Sequence, residues 1–446
     1  MTLSAAAPLF GACSSADGMN GSSDNTVREA SRNVKVARSA DVIVSGGGPA
    51  GVCAAIASAR AGADTVLIEQ YGFLGGIWTA GMLSWIMDYV NKPESSILKE
   101  IFAELKKNDA QDAPHCYDSE VMKTVLESMC IKAGVKIRCY TRVCSALKDF
   151  DGGMTAVLTE SPSGREAWRA KVFIDATGNG DLSAYAGCRF EVGDADGNTM
   201  PGSLMALLAG VKNEDLAEAG VMRKNSVTGD KGENKKKFRA LLNSAGMEPS
   251  YKMPSLFPVR EGLIAMMANH EYGVKCDDAD SLTAHTIAAR AEISKMTDIL
   301  RGLGGIWKDL RLVATAPQIG IREGRRIRGV YTVSVEDLKS GARFADAVCA
   351  VTLKLDIHPH NKDDKHGYTN YGIKTLPYEI PLRALMSADI PNLLLAGRCI
   401  SGDYFAHSSY RVTGNSCVLG EAAGKAAAAS VRLKKPVREV KVHEFA

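Results

Sequence analysis

Two apolar runs separated by an alanine-rich segment mark the first regular structure of the chain. Residues 42–44 and 65–68 are short and continuously apolar, as is typical of buried parallel strands. The segment from about 49 to 61 between them is rich in alanine and ends at Gly62, which predicts a helix and its stop. The pattern therefore predicts a strand, a helix and a second strand, the βαβ unit of a parallel sheet.

The pattern then changes twice along the chain. Up to about residue 187 it predicts further helices near 94–107 and 118–133 and strands near 135–147, 154–160 and 166–174. Polar helices follow near 213–222 and 233–245, with a long helix near 281–302. After Tyr378 a strand pattern returns in "NLLLAG" (392–397), followed by a helix of small residues near 415–432.

This order predicts an α/β fold with a discontinuous Rossmann-like domain. We assign residues 40–190 and 366–435 to that domain and residues 191–365 to an inserted α+β substrate or cap domain. Residues 1–39 are interpreted as a leader or linker, because residues 14–38 are rich in Ser, Asn, Asp and Gly.

Composition and charge narrow the class of protein without naming a function. The chain has 446 residues, of which 46% are hydrophobic, and 54 basic residues nearly balance 51 acidic ones. These values fit a globular enzyme and exclude a fibrous or disordered chain. No basic stripe interleaved with aromatics predicts a nucleic-acid surface, and no apolar run is long enough to predict a transmembrane segment. The eleven cysteines form no C-x-x-C pair, so neither a dithiol centre nor a metal site is predicted.

The N-terminal stretch leaves the location of the protein open. "MTLSAAAPLFGACSSADG" ends its apolar part at Gly11-Ala12-Cys13, like the cleavage end of an export or lipoprotein signal. However, no Lys or Arg precedes Arg28, so the charged front of such a signal is missing. Export and a cytoplasmic location therefore both remain open.

The turn after the first strand carries a dinucleotide-binding pattern. Gly46-x-Gly48-x-x-Gly51 follows the strand, and Pro49 and Ala50 open the helix. The first glycine permits the tight turn, the second lets a pyrophosphate approach the backbone, and the third lets helix and strand pack closely. The helix N-terminus attracts the phosphates, and Glu69 at the end of the second strand can bind ribose hydroxyls.

Further segments resemble those of a known family. These are 41–81, 171–187, "APQIGIREGRRIRGVY" (316–331), "YEIPLRALMSADIPNLLLAGRCIS" (378–401) and "RVTGNSCVLGEAAGKAAA" (411–428). In them the chain resembles the bacterial FAD-dependent oxidoreductases, whose fold is shared with the succinate dehydrogenase and fumarate reductase flavoproteins. Gln70 is a minor departure, since relatives often have a basic residue there. The resemblance implies that the Rossmann-like domain binds FAD.

The resemblance also implies which residues hold FAD. Glu69 would hold the adenosine ribose, the backbone of Val143 the adenine, and Asp403 the ribityl chain or pyrophosphate. The helix starting near Asn415 would aim its N-terminus at the O2/N1 edge of the flavin, where reduced flavin is negatively charged. The full implied set is Gly46, Gly48, Pro49, Ala50, Gly51, Glu69, Gln70, Gly75, Gly76, Thr79, Val143, Ala176, Thr177, Gly178, Asp181, Gly402, Asp403, Gly414, Asn415, Cys417 and Val418.

Three residues are candidates for catalysis. His407 and Arg411 lie between the Gly-Asp turn and the flavin-facing helix, where a histidine could move a proton and an arginine could hold a carboxylate. A structural role for both is the competing interpretation. His358 is the third candidate, as a substrate contact. Its segment also contains His360, Asp363, Asp364 and His366, whose spacing fits no common metal site and favours a solvated loop.

The arginine-rich segment "IREGRRIRG" allows two interpretations. Arg322, Arg325, Arg326 and Arg328 could be exposed residues on a strand that pair with acids. Alternatively, Arg322 or Arg325 could bind an anionic group of the substrate.

These features predict an enzyme that transfers hydride between a small organic substrate and N5 of FAD, and the arginines leave an anionic substrate open. The alternatives are an FAD-binding lyase or hydratase without net redox chemistry and a structural flavoprotein. The chain has no second nucleotide motif, so the electron partner is not indicated, and neither is the oligomeric state.

Overall fold

A computed structural model describes residues 26–27, 29–93, 96–111, 116–222, 232–364 and 367–445. The candidate export signal and His366 lie outside these residues. The strands are β1 (Lys35–Ser45), β2 (Thr65–Ile68), β3 (Lys136–Arg138), β4 (Arg142–Lys148), β5 (Met154–Ser161), β6 (Gly164–Asp175), β7 (Phe190–Glu191), β8 (Ala206–Ala209), β9 (Ser255–Arg260), β10 (Leu263–Met267), β11 (Arg311–Thr315), β12 (Arg326–Ile327), β13 (Ala347–Val351), β14 (Tyr378–Pro381) and β15 (Leu393–Leu395). The helices are α1 (Pro49–Arg60), α2 (Ile97–Lys107), α3 (Ser119–Lys132), α4 (Asp181–Tyr185), α5 (Asn213–Glu218), α6 (Glu233–Ser244), α7 (Ala279–Gly302), α8 (Val335–Ser340), α9 (Tyr404–Tyr410) and α10 (Thr413–Leu433).

The main sheet has seven strands and a parallel centre. Its order is β3-β2-β1-β6-β5-β4, and β15 also pairs with β6. Strands β3, β2, β1, β6 and β15 run parallel, whereas β4 and β5 form an antiparallel extension. The parallel strands place their carboxyl ends at one edge, which is where ligands bind in such sheets. The predicted α/β fold with a Rossmann-like core is confirmed.

The strand predicted at 135–147 is in fact two strands, β3 and β4. Tyr140 between them has a φ of 53°, which no strand accommodates. The break lets Thr141 N donate to the Glu69 carbonyl at 2.9 Å and Tyr140 N to the Tyr71 carbonyl at 3.0 Å. The irregular segment therefore fixes the backbone around Glu69.

Helices α1 and α10 cross the same face of the sheet in very close contact. A Cβ on Gly420 would lie 2.0 Å from the Ala50 carbonyl oxygen, and one on Gly424 would lie 2.1 Å from that of Ala54. Since both pairs advance by one turn in the same direction, the two helices run parallel, with their N-termini at the same end. The small residues of α10 thus bring its N-terminus towards the glycine turn.

A second hydrophobic cluster lies around an antiparallel sheet of order β11-β8-β10-β9. It is formed by residues between Leu204 and Ile319, together with Met82 and Cys116. By contrast, buried residues from Ile327 to Ile357 pack into the first cluster with β1, α1 and α10. This packing favours a domain boundary near residue 325 instead of the predicted 365, and the division into two domains itself remains an interpretation.

Where the structure describes the chain, none of its helices combines the length and the apolar character needed to cross a membrane.

Candidate functional site

A cavity of about 970 Å³ runs from the glycine turn to the second sheet. One end is lined by the loops at the carboxyl edge of the parallel strands, including Gly48, Glu69 and Gly178. The other end is lined by residues of the second cluster and by Arg322, His358 and Arg411. This volume is at the upper end of the range of ligand pockets, and it is large enough for a cofactor together with a small substrate.

The glycine turn has the geometry that the sequence predicts. Gly46 has a φ of 99°, and a Cβ there would lie 2.5 Å from the Ala176 carbonyl oxygen. A Cβ on Gly51 would meet the Gly46 carbonyl oxygen at 1.8 Å, so only glycine permits the close packing of helix on strand. The Cα face of Gly48 is open, since the nearest atom to its Cβ position lies 4.0 Å away. A ligand can therefore approach the backbone at Gly48.

The N-terminus of α1 opens on this end of the cavity without a side-chain cap. Gly48 is its N-cap residue, and its first turn contains no acidic residue. Pro49 and Ala50 line the cavity, so the helix presents its positive end and its free N–H groups to a ligand. This arrangement fits a phosphate or pyrophosphate group.

The carboxylate of Glu69 lies beside the glycine turn and is 5% exposed. Its Oε2 accepts a hydrogen bond from Gly47 N at 2.7 Å, and its Oε1 accepts one from Tyr71 N at 2.9 Å. Burial raises the pKa of this carboxyl, and the backbone hydrogen bonds oppose that effect. Each oxygen keeps a second lone pair with which it can accept a ribose hydroxyl.

The N-terminus of α10 reaches the same cavity. Val412 is its N-cap residue and provides no side-chain hydrogen bond, and Val412, Thr413 and Ser416 line the cavity. The Thr413 hydroxyl is buried and has no hydrogen-bond partner among the residues that the structure describes. Gly397 lies between the two helices, since a Cβ there would be 2.8 Å from Ala50 Cβ and 3.6 Å from Ser416 Oγ.

These features fit FAD. An open backbone cradle and an uncapped helix end suit the pyrophosphate, and a buried carboxylate suits the ribose. A second uncapped helix end and the unpartnered Thr413 hydroxyl, in the same cavity, suit the polar edge of a flavin.

Most of the residues implied by the resemblance line the cavity. Those that do are Gly46, Gly48, Pro49, Ala50, Glu69, Gln70, Gly76, Val143, Ala176, Thr177, Gly178 and Asp181. Those that do not are Gly51, Gly75, Thr79, Gly402, Asp403, Gly414, Asn415, Cys417 and Val418.

The structure corrects the expectations for Asp403 and Thr79. Asp403 caps α9: its Oδ1 accepts from Ala406 N at 2.7 Å, and its Oδ2 accepts from Val335 N at 2.7 Å. Thr79 donates its hydroxyl hydrogen bond to the Leu74 carbonyl oxygen at 2.6 Å. Both polar groups thus bind backbone atoms of the protein, and neither residue lines the cavity.

Four residues of the expected set around α9 and α10 also serve packing. A Cβ on Gly402 would lie 2.5 Å from the Tyr410 ring, and a Cβ on Gly414 would lie 2.3 Å from the Met87 carbonyl oxygen. Asn415 accepts a hydrogen bond from the buried Lys92 ammonium at 2.5 Å. Cys417 is buried against Cys53 of α1.

His407 is likewise absent from the cavity wall. Its side chain lies on α9 and is completely buried, and neither ring nitrogen forms a hydrogen bond with the described part of the chain. Burial, with Arg326, Arg411 and Arg398 nearby, lowers its pKa well below the usual value. This placement favours the structural interpretation of His407 over the catalytic one.

Arg411 and His358 do line the cavity, and Asp356 joins them. The Arg411 guanidinium lies 3.3 Å from Asp356 Oδ2, and His358 Nε2 lies 3.5 Å from the same oxygen. Burial lowers the pKa of His358 to about 4, with a further contribution from Arg322, while Asp356 acts in the opposite direction. Burial alone would raise the pKa of Asp356, but His358, Arg411 and Arg322 together hold it well below its usual value.

Arg322 completes this end of the cavity. Its guanidinium donates to the Pro201 carbonyl at 2.6 Å and to Ser203 Oγ at 2.9 Å, which are neutral acceptors. Burial lowers its pKa to about 10, so it remains a cation at neutral pH. One interpretation of the arginine-rich segment is that its arginines are exposed on a strand and pair with acids. Arg326 does pair with an acid, Glu323, but it is buried and not exposed. Arg325 pairs with Asp181 at 2.9 Å and Asp277 at 3.1 Å.

Three residues of this cluster were not predicted from the sequence, namely Asp356, Tyr251 and His270. The Tyr251 ring lies 4.1 Å from the His270 ring and 5.8 Å from the His358 ring, measured between centroids. Tyr251 lines the cavity, whereas His270 lies behind it. Neither belongs to a motif or a periodic segment, so no local signal could have found them.

In the segment after His358, His360 has partners within the protein. His360 Nε2 lies 2.6 Å from the Tyr404 hydroxyl and Nδ1 lies 3.4 Å from Asp194, so this histidine is partly buried instead of solvated. Among the described residues, no group of His, Cys, Asp and Glu could hold a metal ion.

Known proteins with similar sequences match only part of the chain. Thiamine thiazole synthase from Methanococcus maripaludis is 37% identical over 98 residues, which are 22% of this chain and 37% of the relative. The enzyme of the same name from Metallosphaera sedula is 33% identical over 97 residues, or 35% of its length. The chain thus spans little more than a third of these relatives.

Solved structures align over much more of the chain but at low identity. p-Nitrophenol 4-monooxygenase from Pseudomonas putida is 14% identical, with a TM-score of 0.49 and coverage of 90% of this chain and 82% of that one. A geranylgeranyl bacteriochlorophyll reductase-like protein from Thermoplasma acidophilum is also 14% identical, with a TM-score of 0.45 and coverage of 89% and 80%.

The family assignment rests on a match that covers most of the chain. A protein-family model described as FAD dependent oxidoreductase matches residues 41–446, from the last residues before the glycine turn to the end. The chain therefore belongs to the FAD dependent oxidoreductase family, and it is an enzyme with FAD as its cofactor.

Proposed function

We propose that this enzyme oxidises or reduces a small anionic organic substrate by hydride transfer between the substrate and N5 of FAD. The observation that carries the proposal is the polar end of the cavity. There, two arginines and a histidine line the space that continues from the glycine turn. A redox substrate at that end would share one cavity with the cofactor, as direct hydride transfer requires.

The proposal assigns FAD to the end of the cavity with the two helix N-termini. Gly46, Gly48, Pro49 and Ala50 would surround the pyrophosphate, and Glu69 would accept the ribose hydroxyls. Gln70, Val143, Gly178 and Asp181 line the adenosine end in this assignment, with Gly76, Ala176 and Thr177 along the path. Thr413 and the first turn of α10 would face the pyrimidine edge of the flavin. When bound, FAD supplies a two-electron acceptor or donor at N5.

His358 would move the substrate proton. Its imidazole is neutral at pH 7 because its pKa lies at about 4, so it is able to accept a proton. A carboxylate 3.5 Å from Nε2 orients the ring and favours the tautomer with the proton on that nitrogen. Nδ1, which is buried and has no hydrogen-bond partner within the described ranges, is then the basic atom.

Arg322 and Arg411 would hold the anionic group. The Asp356 carboxylate compensates one of the two positive charges, and the second has only neutral partners. A carboxylate of the substrate would supply the missing negative charge and accept charge-assisted hydrogen bonds.

Anaerobic reduction of the bound flavin tests this proposal. The purified holoenzyme is mixed with hydroxy acids, alcohols, sugars and amines, and the visible flavin absorbance is followed. Bleaching by an organic substrate, with release of the oxidised product, is the expected result. Product formation with no flavin reduction in either half-reaction would replace the proposal with the non-redox lyase or hydratase alternative.

A further inference from the structure

The polar end of the cavity offers a defined set of donors and acceptors. Arg322 and Arg411 are donors that carry charge. The Tyr251 hydroxyl is a third donor: its side chain is 2% exposed and forms no hydrogen bond within the part of the chain that the structure describes. His358 Nδ1 is the acceptor, since the Asp356 carboxylate favours a proton on Nε2. Among the described residues, His358 Nδ1 is a buried nitrogen without a hydrogen-bond partner, and a ligand donor would satisfy it.

The charges of this end permit one further anion. Among Arg322, Arg411, Asp356 and His358, two guanidinium groups and one carboxylate leave a single net positive charge, because the pKa of His358 keeps it neutral at pH 7. One carboxylate on the ligand balances that charge. A ligand ammonium group would lie beside two arginines and be repelled by them, whereas a hydroxyl group would not.

The acceptor and the cations are close to one another. Asp356 contacts both Arg411 and His358, at 3.3 and 3.5 Å from the same oxygen. Tyr251 lies 5.8 Å from His358 between ring centroids. Arg411 and His358 thus lie beside the same carboxylate, and a ligand with its carboxylate and its hydroxyl on neighbouring carbons is the smallest that would engage both.

The wall beyond the polar groups is apolar. Arg322 lies 3.8 Å from the Met267 sulfur, and Met267 begins a surface that continues through Leu256, Phe257 and Trp85. Phe257 and Trp85 contact each other with ring centroids 5.2 Å apart. Such a surface accepts an alkyl or aryl side chain by the hydrophobic effect.

We propose that the substrate is a 2-hydroxy monocarboxylic acid with an apolar side chain, oxidised to the 2-oxo acid. This assignment rests on the hydride-transfer function proposed above. Arg322, Arg411 and Tyr251 bind the carboxylate, and the apolar wall binds the side chain. The hydroxyl proton passes to His358 Nδ1 and the hydride on C2 passes to FAD. The C2–O bond becomes a carbonyl, the substrate loses two electrons and FAD gains them.

The test uses four compounds with the same branched side chain. Under anaerobic conditions the holoenzyme is mixed with 2-hydroxy-4-methylpentanoate, its 3-hydroxy isomer, 3-methylbutan-1-ol or leucine, and flavin absorbance is followed. Reduction by the 2-hydroxy acid at least about 100-fold faster than by the other three is the expected result. Equal or faster reduction by the carboxylate-free alcohol, the 3-hydroxy isomer or leucine overturns the assigned class and leaves the hydride-transfer function standing. Absence of reduction by all four overturns the assigned class, whereas the hydride-transfer function is decided separately by the wider panel of compounds described above.

Two variants locate the carboxylate without depending on turnover. Binding of 2-oxo-4-methylpentanoate is measured from the perturbation of the oxidised flavin spectrum. Tyr251→Phe removes only a hydroxyl that has no protein partner, so the fold is retained, and we expect a dissociation constant about 5- to 20-fold higher. For Arg322→Met the expected increase is about 100-fold. The control is Arg343→Met, which changes an arginine that is 59% exposed and outside the cavity wall. Unchanged binding in Tyr251→Phe and Arg322→Met would overturn the placement of the carboxylate.

Discussion

The contact between α1 and α10 predicts a large effect from a single methyl group. In Gly420→Ala the new Cβ would lie 2.0 Å from the Ala50 carbonyl oxygen, whereas ordinary contacts begin at 3.4 Å. The obstacle is backbone in the first turn of α1, so no side-chain rotation can relieve it. One helix has to move by about 1.4 Å, the difference between these two distances.

The energetic consequence follows from two opposing terms. Replacing glycine by alanine inside a helix stabilises that helix by up to about 1 kcal/mol. Overpacking of a tight contact costs about 1–3 kcal/mol, and the upper part of that range applies here because backbone meets Cβ. We therefore expect the free energy of unfolding to fall by about 1–2 kcal/mol. Because Ala50 lines the cavity, FAD affinity is expected to fall as well, by about tenfold, which is about 1.4 kcal/mol.

A matched control separates packing from helix propensity. Gly302→Ala makes the same change at the end of α7, where a Cβ would meet nothing within 4 Å. That variant is expected to be as stable as the wild type or slightly more so. Urea unfolding followed by circular dichroism gives the stabilities, and quenching of flavin fluorescence gives the FAD dissociation constant. If Gly420→Ala were as stable as Gly302→Ala and bound FAD equally well, the helix contact would not position the cavity as argued.

Three further predictions concern single side chains. Glu69→Ala should raise the FAD dissociation constant about 10- to 100-fold, because it removes a charged acceptor near the ribose; flavin fluorescence measures this, and an unchanged constant would contradict the assignment. Asp403→Ala should lower the free energy of unfolding by about 0.5–2 kcal/mol, because α9 loses its N-cap, and FAD affinity should stay constant. Weaker FAD binding at unchanged stability would instead indicate a cofactor role for Asp403. The rate of flavin reduction at low substrate concentration should be constant above about pH 5 and fall about tenfold per pH unit below about pH 4, because the pKa of His358 is lowered to about 4. A pH–rate profile with its midpoint near 6.5 would indicate a histidine with the ordinary pKa of an exposed side chain. Because the pKa of His358 is lower in the folded protein than in the unfolded chain, the unfolded chain binds this proton more tightly than the folded protein does. The free energy of unfolding therefore decreases as the pH falls from about 6.5 to about 4.

The cofactor end was predictable because its signals are local. The apolar strand, three glycines, an alanine-rich helix and a terminal acid are contiguous in sequence, and each has its own physical reason. The structure gives Gly46, Gly48 and Gly51 the geometry that those reasons require. The parallel sheet followed from the same segment, because a βαβ unit specifies it.

Asp403 shows where a local pattern has two meanings. The aspartate of the Gly402-Asp403 turn resembles a cofactor ligand, but an aspartate directly before a helix is also a strong N-cap signal. Its two carboxylate oxygens accept from Ala406 N and Val335 N, so the second meaning applies. The contact with Val335 joins segments far apart in sequence, and no local pattern could have revealed it.

The substrate end could not be predicted for the same reason. Tyr251, Arg322, His358 and Arg411 come from four separate segments that converge on one wall of the cavity. Each is an ordinary residue in its own neighbourhood. Only the tertiary fold makes them a cluster, and the lowered pKa values of Arg322 and His358 depend on burial and on mutual distances that sequence spacing does not contain.

The distribution of buried charge connects the two ends of the cavity. Arg326 is buried against Glu323, and Arg411 against Asp356, so these two cations are compensated within the protein. Arg322 and Arg398 differ, because within the described residues their guanidinium groups contact only neutral acceptors. Both line the cavity. A buried cation without a counter-charge is costly, so an enzyme that keeps two of them on one cavity wall gains stability when anions fill it. FAD, with its phosphates, and a carboxylate substrate are such anions, and the excess positive charge therefore favours a complete complex over the empty protein.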